Sequence, residues 1–146
     1  MTQLSKPNCT LVPSSWLSFS KVVLVCFFHN FFLVQAVDSI SVDNGSIKSG
    51  VAGGARGDSG NIIVNTNTLS AVNGGQLLAS TSGDGQAGDI IVNAQQIQLS
   101  DSNSGLFAQT SSTANAGNLT LQPLGEGQTL TVNFLDGAQI LASRLG

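Results

Sequence analysis

The chain is poor in the residues that enzyme chemistry usually needs. Its 146 residues include one His, two Cys, one Trp, no Tyr and three Pro. His29, Cys9, Cys26 and Trp16 all precede position 37, so residues 37–146 carry no imidazole, thiol or phenol. That removes most of the customary general bases and nucleophiles from three quarters of the chain, and it excludes a disulfide framework there. Cations are scarce as well. After position 36, Lys48, Arg56 and Arg144 face eight acids, a net of −5. Such a balance leaves no basic footprint for DNA or RNA, and no nucleic-acid partner is expected.

What remains is divided into two unlike parts. All 17 glycines lie after position 36, whereas five of the seven Phe and both Cys lie before it. Residues 1–36 contain Lys6 and Lys21 and no acid. Lys21 precedes an apolar run over residues 22–36 that is broken at His29-Asn30 and ends in Val34-Gln35-Ala36. A positive flank, a short apolar region and a small-x-small end describe a signal peptide, with cleavage between Ala36 and Val37. A membrane anchor over residues 22–36 is the alternative, although an uninterrupted span needs about 20 apolar residues. A mis-assigned start is a third reading, because the segment before Lys21 is long and contains Pro7 and Pro13. In the first two cases, residues 1–36 are a hydrophobic helical leader and residues 37–146 a separate domain.

That domain is built from one repeat of roughly 30 residues. Ser59-Gly60-Asn61-Ile62-Ile63-Val64-Asn65 matches Ala87-Gly88-Asp89-Ile90-Ile91-Val92-Asn93 and Ala116-Gly117-Asn118-Leu119-Thr120-Leu121-Gln122. A second piece follows each: Leu69-Ser70-Ala71, Ile97-Gln98-Leu99 and Leu130-Thr131-Val132. A third closes the unit: Gln76-Leu77-Leu78-Ala79-Ser80, Gly105-Leu106-Phe107-Ala108-Gln109 and Gln139-Ile140-Leu141-Ala142-Ser143. The units are residues 59–86, 87–115 and 116–144. A partial copy over residues 37–58 ends in Asn44-Gly45-Ser46-Ile47-Lys48-Ser49. Every piece alternates with period two, the pattern of a strand with one buried face, and Gly-, Asn- and Asp-rich turns separate them. Short strands of this kind bury their apolar side only by stacking on their own copies. The expectation is an all-β solenoid of about three coils, each of three short strands. Asn61, Asp89 and Asn118 then lie one above another, as do Asn65, Asn93 and Gln122, where their side chains form hydrogen-bonded ladders.

The phrases "AGNLTLQ", "NGGQLLASTS", "SGLFAQTSS" and "DGAQILAS", in that combination, resemble the passenger repeats of filamentous-haemagglutinin-like exoproteins of two-partner secretion systems. The resemblance covers about residues 40–146. It implies a right-handed parallel β-helix, secreted or held at the cell surface or outer membrane, acting in cell adhesion. Partners would be an outer-membrane two-partner transporter and carbohydrate or protein on a host or neighbouring cell. The family's secretion domain, with its Asn-Pro-Asn motifs, has no counterpart here, so the chain resembles a piece of the shaft. Competing readings are a fragment of a polysaccharide-active β-helix enzyme and a non-functional gene fragment.

Individual sites are few. Arg56-Gly57-Asp58 has the form of a receptor-binding tripeptide. However, Gly57-Asp58-Ser59-Gly60-Asn61 is also the turn of the repeat, aligned with Gly85-Gln86-Ala87-Gly88-Asp89, and Arg56 occupies a variable position. The Gly/Asp-rich turns lack the nine-residue period of calcium β-rolls. No catalytic residue, metal ligand or cofactor is expected. Outward side chains such as Ile63, Ile91 and Thr120, together with the polar turns, would make surface contacts, and unpaired end strands invite end-to-end self-association.

Overall fold

Alternating sequence becomes strand throughout. The structure, a computed structural model, describes residues 8–10, 17–20, 23–27, 31–36, 38–51, 53–54, 56–111 and 113–144. Fifteen strands run in order: β1 Asn8–Thr10, β2 Leu17–Ser20, β3 Val23–Phe27, β4 Phe31–Ala36, β5 Ser39–Asp43 and β6 Ser46–Val51. Next come β7 Asn61–Asn65, β8 Thr68–Val72, β9 Gln76–Thr81, β10 Ile90–Asn93, β11 Gln96–Ser100 and β12 Gly105–Thr110. The last three are β13 Leu119–Gln122, β14 Thr131–Leu135 and β15 Gln139–Arg144. They form three sheets, ordered β1-β3-β4-β7-β10-β13, β14-β11-β8-β5-β2 and β15-β12-β9-β6. From β4 onward the chain visits the three sheets in turn, and each strand pairs in parallel with its equivalent in the next repeat. The fold is all-β, with parallel sheets in a solenoid-like succession.

The register shows why the repeat length matters. Ile62 pairs with Ile90 and Ile90 with Leu119, and Leu77 pairs with Leu106 and Leu106 with Ile140. Because side chains alternate across a strand, matching these positions puts Ile62, Ile90 and Leu119, and likewise Leu77, Leu106 and Ile140, on the inward side. Ile62, Val64, Leu69, Leu77, Ile90, Val92, Ile97, Leu99 and Leu106 are all 0% exposed and form one continuous core. Each such burial contributes about 1.5–3 kcal/mol.

Two expectations need correction. No helix occurs among the described residues, and where residues 1–36 are described they form strands β1–β4 rather than a helical leader. The segment is rich in Val and Phe, which suit a pleated strand, and β7 offers β4 an open edge with which it pairs from Phe31↔Asn61 to Gln35↔Asn65. No helix among the described residues is long and apolar enough to cross a membrane. The second correction concerns the last unit. Val132, not Leu130, pairs with Ile97, and Phe134 pairs with Leu99. The loop over residues 123–130 shifts the strand by two, an even number, so the inward face is conserved.

The partial N-terminal copy holds more than its recognised phrase. Ile47 pairs with Leu77, as the phrase alignment requires. In addition β5 pairs with β8, placing the fully buried Ile40 and Val42 beside Leu69 and Ala71. With β4 on β7, this copy contributes a strand to every sheet.

Close stacking also dictates glycine at one corner. A Cβ at Gly88 would overlap the Gly60 carbonyl oxygen, and one at Gly117 would overlap the Gly88 carbonyl oxygen. We expect Gly88→Ala to cost about 1–3 kcal/mol through forced backbone separation, and Leu106→Ala about 2–5 kcal/mol through a core cavity. Thr120→Ala, on the outer face, should stay within about 0.5 kcal/mol. Urea denaturation followed by circular dichroism measures all three. A Gly88→Ala chain as stable as the parent would contradict the close approach.

Candidate functional site

The surface features begin with the strand ends, where polar residues recur at fixed positions. The Asp89 backbone N–H donates to Asn61 Oδ1 at 2.8 Å, and the Asn118 N–H donates to Asp89 Oδ1 at 2.7 Å. At the other end of the same strands, Asn93 Nδ2 donates to Asn65 Oδ1 and Gln122 Nε2 donates to Asn93 Oδ1. Both sets of ladder residues are therefore brought together, by different means. The first links side chain to backbone, and the second links amide to amide. An interior amide such as Asn93 both donates and accepts, a combination for which Asn and Gln side chains are suited and Asp is not.

A second column forms the turns between the second and third strands. Asn44, Asn73, Asp101 and Asp136 all adopt positive φ, between 51° and 81°. Asn and Asp tolerate this region better than other non-glycine residues. Asn73 Nδ2 donates to Asp43 Oδ1 at 2.8 Å, tying one turn to its predecessor. Asp101 is the most heavily engaged member. Its carboxylate accepts from the Asn103 N–H at 2.9 Å, from Ser104 Oγ at 2.9 Å and from the Gly74 N–H at 3.1 Å. Desolvation at the turn pushes this carboxyl up, but hydrogen bonds from Asn103, Ser104, Gly74 and Asn73 outweigh it and hold the group below its ordinary value.

The RGD turn is built into the same stack. The Gly57 N–H donates to the Asp84 carbonyl at 2.9 Å, and Arg56 bridges to Asp84 in the parallel sense. Asp58 Oδ1 accepts from the Gln86 N–H at 2.9 Å. Arg56 Nε lies 3.7 Å from Asp84 Oδ2, both side chains more than four fifths exposed. Such an exposed pair contributes little to stability. Arg56 is thus open to solvent, while Asp58 is occupied as a turn acceptor.

Ala36 is the last residue of β4, and Val37 lies outside the described residues. A cut between them would detach β4 from the chain and leave the outer edge of β7 unpaired. The outward column Ile63, Ile91 and Thr120 is in register across three strands, with the two isoleucines half-buried and Thr120 exposed.

One concavity was not legible in the repeats. The loop over residues 123–130 stands beside the turns between the first and second strands and walls a groove of about 540 Å³. Asn67, Thr68, Gln95, Gln96, Gln128 and Thr131 line it. Gln95 Nε2 donates to Gln128 Oε1 at 3.1 Å, fastening the loop to the preceding repeat. The lining offers amides and hydroxyls without a charge, a chemistry suited to hydrogen-bonding neutral polar groups and not to proton transfer. No three His, Cys, Asp or Glu side chains converge as metal ligands among the described residues.

No protein-family model, curated protein or solved structure matches the chain.

The depressed Asp101 carboxyl predicts a pH dependence. A group with a lowered folded-state value stabilises the fold above its unfolded value, here 3.8, and this contribution is lost as pH falls through the folded value. Asp101→Asn should therefore be less stable than the parent at neutral pH, with the difference shrinking as pH falls through and below the ordinary carboxylate range. Urea midpoints across that range decide it, and a pH-independent difference would contradict the assignment. Asn93→Leu, which breaks both ladder bonds, should cost about 1–3 kcal/mol by the same measurement.

Proposed function

We propose that the chain is a right-handed parallel β-helix in which β7–β15 make three coils and β4–β6 a further one. It serves as a non-enzymatic structural and adhesive segment of a filamentous-haemagglutinin-like exoprotein, secreted or displayed at the outer membrane. Its partners are carbohydrate or protein on a host or neighbouring cell, reached through export by a two-partner transporter.

The observation that carries this reading is the use made of the polar side chains. Asp43, Asp58, Asp89 and Asp101 each accept a hydrogen bond from a neighbouring repeat. Asn61 and Asn65 accept from the next repeat likewise, Asn93 both donates and accepts, and Gln122 donates to Asn93. Groups committed to holding coil on coil are suited to a shaft, whereas a polysaccharide-cleaving enzyme needs carboxylates free to exchange protons within one cleft. Adhesion then rests on repeated shallow contacts along the outer faces and in the amide-lined groove at Gln95 and Gln128.

Beads coated with the folded chain should be retained on immobilised neutral glycans or on cell surfaces above the level of beads coated with an unrelated protein. Retention no better than that control would sink the adhesive reading. Release of reducing ends or unsaturated sugars from a polysaccharide panel would establish the β-helix enzyme instead. A far-UV spectrum without β-structure would mark a gene fragment.

A further inference from the structure

The second sheet, β14-β11-β8-β5-β2, turns a different chemistry to solvent from the other two. Alternation along its strands points Ile40, Leu69, Ile97 and Val132 inward, so the residues flanking them point out. Ser39, Thr68, Gln96 and Thr131 stand in register as one outward column, and Ser41, Ser70, Gln98 and Asn133 as the next. The first sheet presents Ile63 and Ile91 in its central outward column, and the third presents Leu78 and Phe107. β8 and β11, at the centre of the second sheet, have a paired strand on each side, so this face looks out from the flank of the stack.

The two columns differ in a second respect. At the strand ends and turns, side chains such as Asn93 and Asp101 are engaged with neighbouring levels. Among the described residues, no hydrogen bond engages the side chains of the two columns, and the buried side-chain oxygen without a partner is Ser143 Oγ, on the third sheet. The hydroxyls and amides of the second sheet therefore keep donors and acceptors that reach solvent. Thr68, Gln96 and Thr131 also line the groove of about 540 Å³ beside Gln128, so the flat face and the groove are one continuous surface.

We propose that this surface is the binding site of an uncharged polysaccharide, lying flat across β8 and β11 with one edge in the groove. Charge selects the occupant. Residues 37–146 carry a net of −5, and Asp43, Asp101 and Asp136 stand at the ends of β5, β11 and β14, while the two columns carry no charge. An anionic chain would be repelled by that rim, and a cationic one would find no carboxylate on the face to pair with. Hydroxyl-rich sugar rings match what is left, because a hydroxyl both donates and accepts and so do Ser, Thr, Asn and Gln side chains. Spacing agrees with this. Levels lie about 4.8 Å apart and the two columns about 6.6 Å apart, so one sugar ring reaches side chains of neighbouring levels and the next ring meets the same kinds of group. The inference rests on the adhesive reading and adds to it a place and a ligand class.

Depletion of the full chain by suspended cellulose, starch and chitin should show saturable binding to at least one of them, unchanged by added salt, and heparin should not bind. The double variant Ser70→Ala/Gln98→Ala should bind the same polymer at least about fivefold more weakly. Gln109→Ala, on the outer face of the third sheet, should bind as the parent does. If the double variant does not fold, amide shift changes in the parent chain on adding a soluble oligosaccharide of that polymer decide alone. They should fall on β8, β11 and residues 123–130. Coated beads that adhere to cells while none of the three polymers binds the chain would leave adhesion standing and overturn this site. Undiminished binding by the double variant, equal weakening by Gln109→Ala, a preference for heparin, or shift changes confined to the first or third sheet would each overturn it as well.

Discussion

A strand of five residues with one apolar face cannot bury that face by itself, and every other feature of this molecule follows from the way that requirement is met. The partner supplied is a copy of the same strand, 28 to 30 residues along the chain for most pairs. Backbone pairing and core formation are therefore one event. Setting Ile62 against Ile90 and Leu77 against Leu106 satisfies the ladder of main-chain hydrogen bonds and closes the interior together. A slip of one residue would present the polar face to the core in the strands concerned. Stability is then close to a sum over neighbouring coils rather than a property of any one of them.

Polar residues obey the same constraint. At many of the strand ends and turns, a donor or acceptor finds its partner one level away. Asn65, Asn93 and Gln122 do so with amides, while Asp58 and Asp101 do so with carboxylates that receive backbone N–H groups. At Asp101 desolvation raises the carboxyl, but the local donors Asn103 and Ser104, joined by the Gly74 N–H one level away, outweigh it and hold the group low. In a single globular site, a cluster of aspartates with fixed hydrogen bonds would suggest catalysis or metal binding. In a stack, it is one way of closing tight corners, alongside positive-φ glycines such as Gly54 and Gly74 and glycines such as Gly88 and Gly117 where two backbones approach.

The repeat made much of this legible in advance. Pieces such as Asn61–Asn65 and Ile90–Asn93 differ so little that their register could be read directly, and the buried set of the central coils follows from period two. The misreadings have physical causes. Phe31–Ala36 is an apolar run that serves equally as the core of a leader or as a strand on the edge of β7, and no property of the run itself distinguishes them. Ile40 and Val42 alternate correctly, but Ser39-Ile40-Ser41-Val42 is too unlike Thr68-Leu69-Ser70-Ala71 to be found by phrase matching. In the last unit an insertion preceded the second strand, and a shift by two leaves alternation intact, so Leu130 and Val132 were equally good candidates on pattern alone. The groove was invisible for a different reason. It exists only because the loop near Gln128 comes to stand beside Gln95, a contact between levels that no local pattern encodes.

Burial follows pairing level by level. β10–β12 have a paired strand on each side, and their apolar residues Ile90, Ile97 and Leu106 reach zero exposure, whereas Leu119, Val132 and Ile140, in register with them, are half-buried. These three keep apolar residues at the positions that are buried in β10–β12, so the register that builds the core between neighbouring levels continues unchanged into the last described strands. Because each level both completes the one before it and offers the same apolar positions to the one after it, one short pattern is enough to specify the core at every level.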